Sequence, residues 1–232
     1  MMAGERRLYI ASPAVDVDPS DFTIFDEKRL QREADFSNMV EVTEPKNGCP
    51  SKYGLPTFAE TPRVKVALKN RPLDFYGFER WVLSSRAKAL LEGCDADAFD
   101  FVECETTAPP RHSIENYWLG RVRRVVIDFD RDASNFEVYG RQYDPVFKRW
   151  IHNDAITKLN MLELKPGGEQ FMAFYLFDYH TYPIFDGKLV DAIRDAKLKG
   201  LRFSPLQPPV GKEKKQVYFL NFSYWNDQGM MG

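Results

Sequence analysis

The stretch WVLSSRAKALLEGCDADAFDFVE, residues 81–103, sets the pattern that organises the rest of the chain. Trp81-Val-Leu83 is a short apolar run of β-forming residues, as a buried strand requires. Ser84 and Ser85 follow, and a serine hydroxyl can accept a hydrogen bond from the orphan amides of a first helical turn. Ala87, Leu90 and Leu91 then recur at helical spacing and give one apolar face, with Gly93 as the expected C-terminal stop. Phe99-Asp-Phe101-Val alternates apolar and polar, which predicts a second strand.

The same order of signals returns 102 residues later, over about 183–205. Ile184-Phe-Asp186 stands where Val82-Leu-Ser84 stood, with Asp186 as the cap. Leu189, Ala192 and Ile193 replace Ala87, Leu90 and Leu91, and Leu201 and Phe203 replace Phe99 and Phe101. Any two strand–helix–strand units look alike at this coarseness, so periodicity alone leaves a true repeat open against chance.

Outward from these units the chain reads mainly as strand. Short strands are expected at Arg7–Ala11, Met39–Thr43 and Val64–Leu68, with a short helix around Asp26–Ala34 and a turn-dense loop over Pro45–Pro62. Tyr117–Phe129 is long, β-branched and aromatic, and Gly120 marks a bulge or a close approach. Further strands are expected at Phe136–Tyr139, Arg149–His152, Leu159–Leu164 and Phe171–Phe177, the last two joined as a hairpin through Pro166-Gly-Gly168. The tail adds Gln216–Tyr224, an edge strand open to a second chain. The expected class is α+β, mostly antiparallel sheet with two strand–helix–strand units. Three segments follow: residues 1–70 packed on the main domain, a main domain over 71–206, and an extension over 207–232.

With 232 residues the chain can bury a large core without disulfide staples, and its three cysteines point to a reducing cytoplasm. No apolar run reaches the ~18 residues of a membrane helix, and the N-terminus lacks the pattern of a signal peptide. Thirty-two basic residues against thirty-four acidic ones give a net charge of −2, which argues against a general nucleic-acid binder.

Motifs for catalysis are missing or incomplete. No nucleophile elbow or phosphate-binding loop occurs. Asp128-x-Asp130-x-Asp132 begins like a calcium loop, but Ala133 and Tyr139 stand where glycine and glutamate are needed, so a solvated acidic turn is expected. Asp178 and His180 share a strand face without an evident third ligand. They mark the alternative to a binding role, a small metal-dependent hydrolase or an enzyme that reverses a modification. No catalytic residue, metal ligand or cofactor site is otherwise assigned.

The most distinctive charge feature is an acidic run of Glu92, Asp95, Asp97, Asp100, Glu103 and Glu105, with no base between Lys88 and Arg111. Carboxylates on one surface speed association with a basic partner. A solvated helix end is the plainer alternative.

Taken together, Asp74-Phe75, Trp81–Ser84 with its helix, Phe99–Glu103, Tyr117-Trp-Leu119 leading to Val125–Asp130, and Ile184–Asp186 followed by Lys199-Gly-Leu-Arg-Phe203-Ser-Pro205 resemble a known family. It is the Myxococcus-type immunity domain, the eleventh immunity family of bacterial polymorphic-toxin systems, and the resemblance covers about 71–206. It implies a cytoplasmic, non-enzymatic protein that binds a cognate secreted toxin 1:1 and protects the producing cell. The toxin would be a type VI or related effector, with nucleases among the partners. No nucleic acid, membrane, small-molecule substrate or cofactor is implied. The six carboxylates are the expected contact residues for a basic toxin cleft.

Overall fold

The fold is given by a computed structural model that describes residues 6–14, 22–25, 55, 58, 60–66, 73–77, 80–107, 116–144, 148–168 and 170–206; the side chains of 141–144, 149–154 and 180 lie outside that set. The helix expected at Asp26–Ala34, the strand at Met39–Thr43, most of the Pro45–Pro62 loop and the strand at Gln216–Tyr224 fall outside the described residues.

The chain is α+β. In order, the strands are β1 (Leu8–Pro13), β2 (Phe22–Phe25), β3 (Arg63–Val66), β4 (Phe75–Tyr76) and β5 (Trp81–Ser84). After helix α1 (Ser85–Asp95) and a 3-10 turn (Ala96–Ala98) come β6 (Phe99–Glu103), β7 (Glu105–Thr107), β8 (Tyr117–Val122) and β9 (Val125–Val126). Then follow β10 (Phe129–Asp144), β11 (Arg149–Leu164), β12 (Ala173–Leu176), β13 (Tyr179–Asp186), α2 (Gly187–Asp195) and β14 (Leu201–Pro205). Two sheets form the centre, in the orders β4-β5-β8-β6 and β14-β1-β13-β12-β9.

The two strand–helix–strand units have the same architecture. In the first, β5 and β6 both pair antiparallel with β8, which lies between them; in the second, β13 and β14 pair in the same way with β1. Ser84 sits opposite Tyr117 and Phe99 opposite Val122, while Asp186 sits opposite Leu8 and Leu201 opposite Pro13. In each case the central strand advances five residues between the helix cap and the exit strand (117 to 122, 8 to 13).

Flanking bonds match as well. The amide of Ser84 donates to the carbonyl of Asp74 (3.0 Å), as Asp186 donates to Met172 (2.8 Å). Arg123 donates to Ala98 (2.8 Å), as Ala14 donates to Gly200 (3.0 Å). The repeat is therefore real in three dimensions, with one permutation: the central strand follows its unit in the first copy and comes from the N-terminus in the second. Strand β1, from the segment assigned to residues 1–70, is thus an interior strand of the second unit.

Apolar runs explain the layering. Leu8–Ala11, Trp81–Ser84 and Ala173–Leu176 are buried throughout, as strands covered on both faces must be. Tyr9, Ala11, Phe75, Trp81, Leu83, Phe99 and Phe185 join Ala87 and Leu91 of α1 and Leu189, Val190 and Ile193 of α2 in one core shared by both units. Alternate residues face the other way. Val82, Tyr117 and Leu119 pack on Val64 and Val66 from the small sheet β2-β3-β7. Leu8, Ile10, Phe174 and Ile184 pack on Phe129, Ile156, Leu159 and Leu162 from the base of the β10–β11 hairpin.

Several local expectations are corrected. Gly93 does not stop α1, which runs to Asp95; its φ is unexceptional, and a carboxylate at the helix end is tied to the neighbouring unit. Pro166-Gly-Gly168 does form a turn, with Gly167 at φ +98, but it joins β11 to β12, which belong to different sheets, and so makes no hairpin. The hairpin is instead β10–β11, which merges the three shorter strands expected between 136 and 164. Asp130 and Asp132 lie within β10, where Asp130 Oδ1 accepts from the amide of Ala133 (2.9 Å) at a break in register, so the acidic turn is a strand irregularity. Gly120 is a close-approach point, since a Cβ there would lie 2.2 Å from Leu83. The Tyr117–Phe129 strand is broken at Arg123-Arg124, where the chain passes from one central sheet to the other.

Helix α2 ends in two nested bonds, from Leu198 to the carbonyl of Ile193 (3.1 Å) and from Lys197 to that of Arg194 (2.9 Å), with Lys197 at φ +54. This termination favours glycine at the left-handed position. Lys197→Gly is therefore expected to raise stability by about 0.5–1 kcal/mol, read as a higher midpoint in urea at unchanged slope. A lower midpoint would mean that the lysine side chain contributes more than its backbone strain costs.

Candidate partner-binding site

The six carboxylates span the last turn of α1, the 3-10 turn, β6 and β7, and the fold separates their roles. Asp95 forms a two-pronged ion pair with Arg124, with Nη2–Oδ1 at 3.0 Å, and also accepts from the amide of Met172 at 3.1 Å. Arg124 is only 7% exposed and its guanidinium lies 4.9 Å over the ring of Phe171. Asp100 accepts from Arg123 Nη1 (2.8 Å) and from the amide of Leu55 (3.1 Å). Asp95 holds internal structure, because a buried arginine left without its partner is costly, while Asp100 is engaged by the half-buried Arg123 and the Leu55 amide.

The remaining four point outward. Glu92 is exposed and paired with Lys88 one turn earlier (2.6 Å). Asp97, Glu103 and Glu105 are exposed, and the register sets Glu105 beside Arg63. Glu103 lies opposite Trp118 and accepts a long bond from Asn116 Nδ2 (3.5 Å). Lys88 Nζ sits 5.0 Å over the ring of Trp118 and 5.7 Å over that of Phe101. Trp118 Nε1 donates to Ser85 Oγ (3.2 Å), whose hydroxyl donates to the carbonyl of Asn116 (2.7 Å). The outcome is a half-buried Trp–Phe pair capped by a lysine and flanked by Glu92 and Glu103. Aromatic anchors inside a charged rim are what protein-binding surfaces use.

The lack of bases within residues 89–110 did not foretell this division. Arg123 and Arg124 reach the run from the break between the two central sheets, far away in sequence. Their signal was two adjacent arginines inside a run of otherwise buried β residues, which need acidic partners if they are to be covered.

Asp74 was legible only as part of a resemblance, yet its carboxylate accepts four hydrogen bonds. It is 3% exposed. Its Oδ1 accepts from Ser84 Oγ (2.8 Å) and Arg86 Nε (2.6 Å), and its Oδ2 accepts from Arg86 Nη2 (2.7 Å) and from the amide of Lys199 (2.9 Å). The amides of Asp74 and Phe75 both donate to the carbonyl of Lys199 (2.9 and 3.0 Å). Ser84 Oγ meanwhile caps α1 by accepting from the amide of Ala87 (3.2 Å). In the second unit Asp186 caps α2 through the amide of Lys188 (2.8 Å) and pairs with Arg6 (2.8 Å), which also donates to the carbonyls of Gly168 and Phe171. The residues leading into β4 thus meet the chain after α2, and those leading into β12 meet the end of α1.

The segments Asp74-Phe75, Trp81–Ser84 and Lys199-Gly200-Leu201, distant in sequence, are therefore one junction in space. A family model described as Immunity protein family (Imm11) matches residues 23–207. The chain belongs to the Imm11 immunity protein family. Its match extends N-terminally beyond the 71–206 region of the resemblance and takes in β2 and β3. No curated protein shows a significant match to the chain.

The residues of the enzymatic alternative take a structural part where they are described. Asp178 pairs with Arg131, whose guanidinium stacks 5.0 Å over Phe129. Among the described residues no three His, Cys, Asp or Glu side chains converge as a metal site requires, and no helix is long and apolar enough to cross a membrane. Burial pushes the Cys104 thiol up to about 11, and burial together with the charge of Asp95 raises that of Cys94, so neither is an activated nucleophile.

Proposed function

We propose that this Imm11 protein acts in the cytoplasm as a stoichiometric inhibitor, binding one cognate secreted toxin domain 1:1 and neutralising it without catalysis. The observation that carries this role is the family match over 23–207. The balanced charge of −2 supports a protein partner over nucleic acid. A type VI or related effector, with a nuclease among the candidates, is the kind of toxin proposed. Because few toxin molecules suffice to kill, inhibition calls for a nanomolar or tighter constant, about −12 kcal/mol. An interface of roughly 1,600 Å² with a few anchors reaches that value.

The surface proposed to meet the toxin is the Trp118–Phe101 pair with the exposed acids Glu92, Asp97, Glu103 and Glu105. Asp95 and Asp100 are left out of the proposed contact set because their carboxylates already hold Arg124 and Arg123. Affinity capture from lysate of the native host at moderate salt, read by mass spectrometry, tests the role. One secreted-effector domain at 1:1 is the expected result, and failure to recover any effector would overturn it.

A second measurement tests the surface. The triple variant Asp97→Lys, Glu103→Lys, Glu105→Lys is expected to fold normally and to associate with the captured effector domain at least about 10-fold more slowly at low salt. An unchanged rate at low salt would remove these acids from the interface.

A further inference from the structure

The register that places the central strands also fixes which way the outer backbones of the two units point. In β6 the amide of Cys104 donates to the carbonyl of Tyr117 (3.2 Å), and the carbonyl of Ala98 accepts from Arg123 (2.8 Å). Even-numbered residues of β6 therefore face β8, and Phe101 and Glu103 turn their amides and carbonyls the other way. In β14 the amide of Leu206 donates to the carbonyl of Leu8 (2.9 Å), and the carbonyl of Gly200 accepts from Ala14 (3.0 Å). Leu201, Phe203 and Pro205 are the outward residues there. Among the described residues β6 and β14 each close one side of their sheet, so both outer edges are open. On β6 the open stretch ends at Glu105, whose amide donates to the carbonyl of Pro62 (2.9 Å).

The offset of 102 that relates the units sets Phe101 against Phe203 and Glu103 against Pro205. Proline has no amide hydrogen, and on an edge strand it blunts the edge against pairing. The second unit is blunted in this way, whereas Glu103 keeps its outward amide. The neighbouring rings differ as well. In each unit a helix cation lies over an aromatic pair, Arg194 over Tyr9 (5.6 Å) and Phe203 (5.8 Å), and Lys88 over Trp118 and Phe101. Tyr9 is only 8% exposed, but Trp118, which holds the same place in the register, is half-buried. The open edge of β6 thus runs along an accessible Trp–Phe pair and ends at an exposed carboxylate.

We infer that the outer edge of β6 takes an extended segment of the cognate effector domain as an added strand, paired through the backbones of Phe101 and Glu103. This mode of binding rests on the immunity role proposed above. Strand addition draws affinity from main-chain bonds and specificity from alternate side chains. The side chain opposite Phe101 lies beside that ring on the helix face, and the one opposite Glu103, two residues away, lies beside its carboxylate. The segment that fits carries an apolar residue at the first position and lysine or arginine at the second. A second copy of this chain does not fit, because its own β6 would bring Asp100 and Glu103 against the same acids.

Residue-resolved amide hydrogen exchange on the full chain, free and with the effector domain it captures, reads the edge directly. In the free chain the amides of Phe101 and Glu103 are expected to exchange fast, while those of Val102 and Cys104 are held by β8. In the complex, exchange at Phe101 and Glu103 is expected to slow at least about 100-fold. Unchanged exchange at both residues in a complex that forms would overturn the added strand and leave the immunity role intact. Slowing that grows with the concentration of the chain alone would assign the edge to a second copy and also overturn it.

Glu103→Pro gives a second readout, since it copies the second unit and deletes the outward amide. Pro205 occupies the equivalent place, so the variant is expected to keep the melting behaviour of the natural chain. Compared with Glu103→Ala, which removes the carboxylate alone, it is expected to bind the effector domain about 10-fold more weakly or worse. Equal affinities of the two variants would overturn the strand. If the proline variant does not fold, exchange on the natural chain decides. If the full chain captures no effector, the immunity role itself falls, and the added strand with it.

Discussion

Gly200→Ala abolishes the native fold, or leaves it less stable by about 4 kcal/mol or more, as far-UV circular dichroism and urea titration would show. Two separate costs act at this position. Its φ of +110 lies in a region that only glycine occupies readily, and a Cβ would sit 2.0 Å from the carbonyl oxygen of Phe75. The obstacle is backbone, so no rotamer change relieves it. Nor can that backbone retreat, because Phe75 and Asp74 donate to Lys199 while the Asp74 carboxylate holds Ser84, Arg86 and the Lys199 amide. The alanine variant must therefore open the junction between the two units. A native-like spectrum with a midpoint unchanged in urea would show that the contact relaxes cheaply and that the junction does not hold the halves together. Gly93→Ala is the internal control: nothing lies within 4 Å of a Cβ there, and the residue is helical, so it is expected to be neutral or to stabilise by up to about 1 kcal/mol.

A chain beginning at residue 23, where the family match starts, does not fold. Strand β1 lies between β13 and β14, and its removal strips both of a full set of ladder hydrogen bonds in the middle of a sheet. Leu8 and Ile10 also leave the core beneath the hairpin, while Tyr9 and Ala11 leave the core beneath the helices. Arg6 goes as well, and with it the partner of the Asp186 cap. Burying four such side chains stabilises by roughly 1.5–3 kcal/mol for each large one, which is comparable with the whole stability of a domain. The expected product is aggregated, or is soluble with poor amide dispersion in a proton–nitrogen correlation spectrum. A well-dispersed native spectrum from the truncated chain would show that the first unit alone carries the fold.

The same strand shows why the repeat was only half legible. Residues 84, 99, 186 and 201 keep their spacing because each helix must span the same distance between two strands separated by a third. That constraint is local, and it leaves its mark at a constant offset of 102. The intervening strand is supplied by Tyr117–Val122 in one copy and Leu8–Pro13 in the other, at an offset of opposite sign. Strand partners come from anywhere in the chain, and apolar alternation says only that a strand is half-buried or buried, never against what. The helix runs past Gly93 for a related reason: a glycine marks where a helix can end, but the ion pair of Asp95 with the buried Arg124 sets where it does.

The acidic run makes the point in terms of charge. Six carboxylates without an intervening base look like one surface when read along the chain. In the folded protein two of them are claimed by Arg123 and Arg124, Glu92 and Glu103 flank Lys88 and Trp118, and Glu105 stands beside Arg63. Linear charge density reports solvation in an extended chain, while the cost of covering a charge depends on what the fold brings within about 4 Å.

By itself, the sequence determined the α+β class, the two capped units and the family resemblance, because caps, turn residues and periodicity act over a few residues. Only the tertiary structure decided the permuted central strand, the Asp74–Gly200 junction, and the division of the acids between those that hold arginines and those that are exposed. Each of these depends on which distant segments share a hydrogen-bond ladder or a buried charge, and no local pattern carries that information.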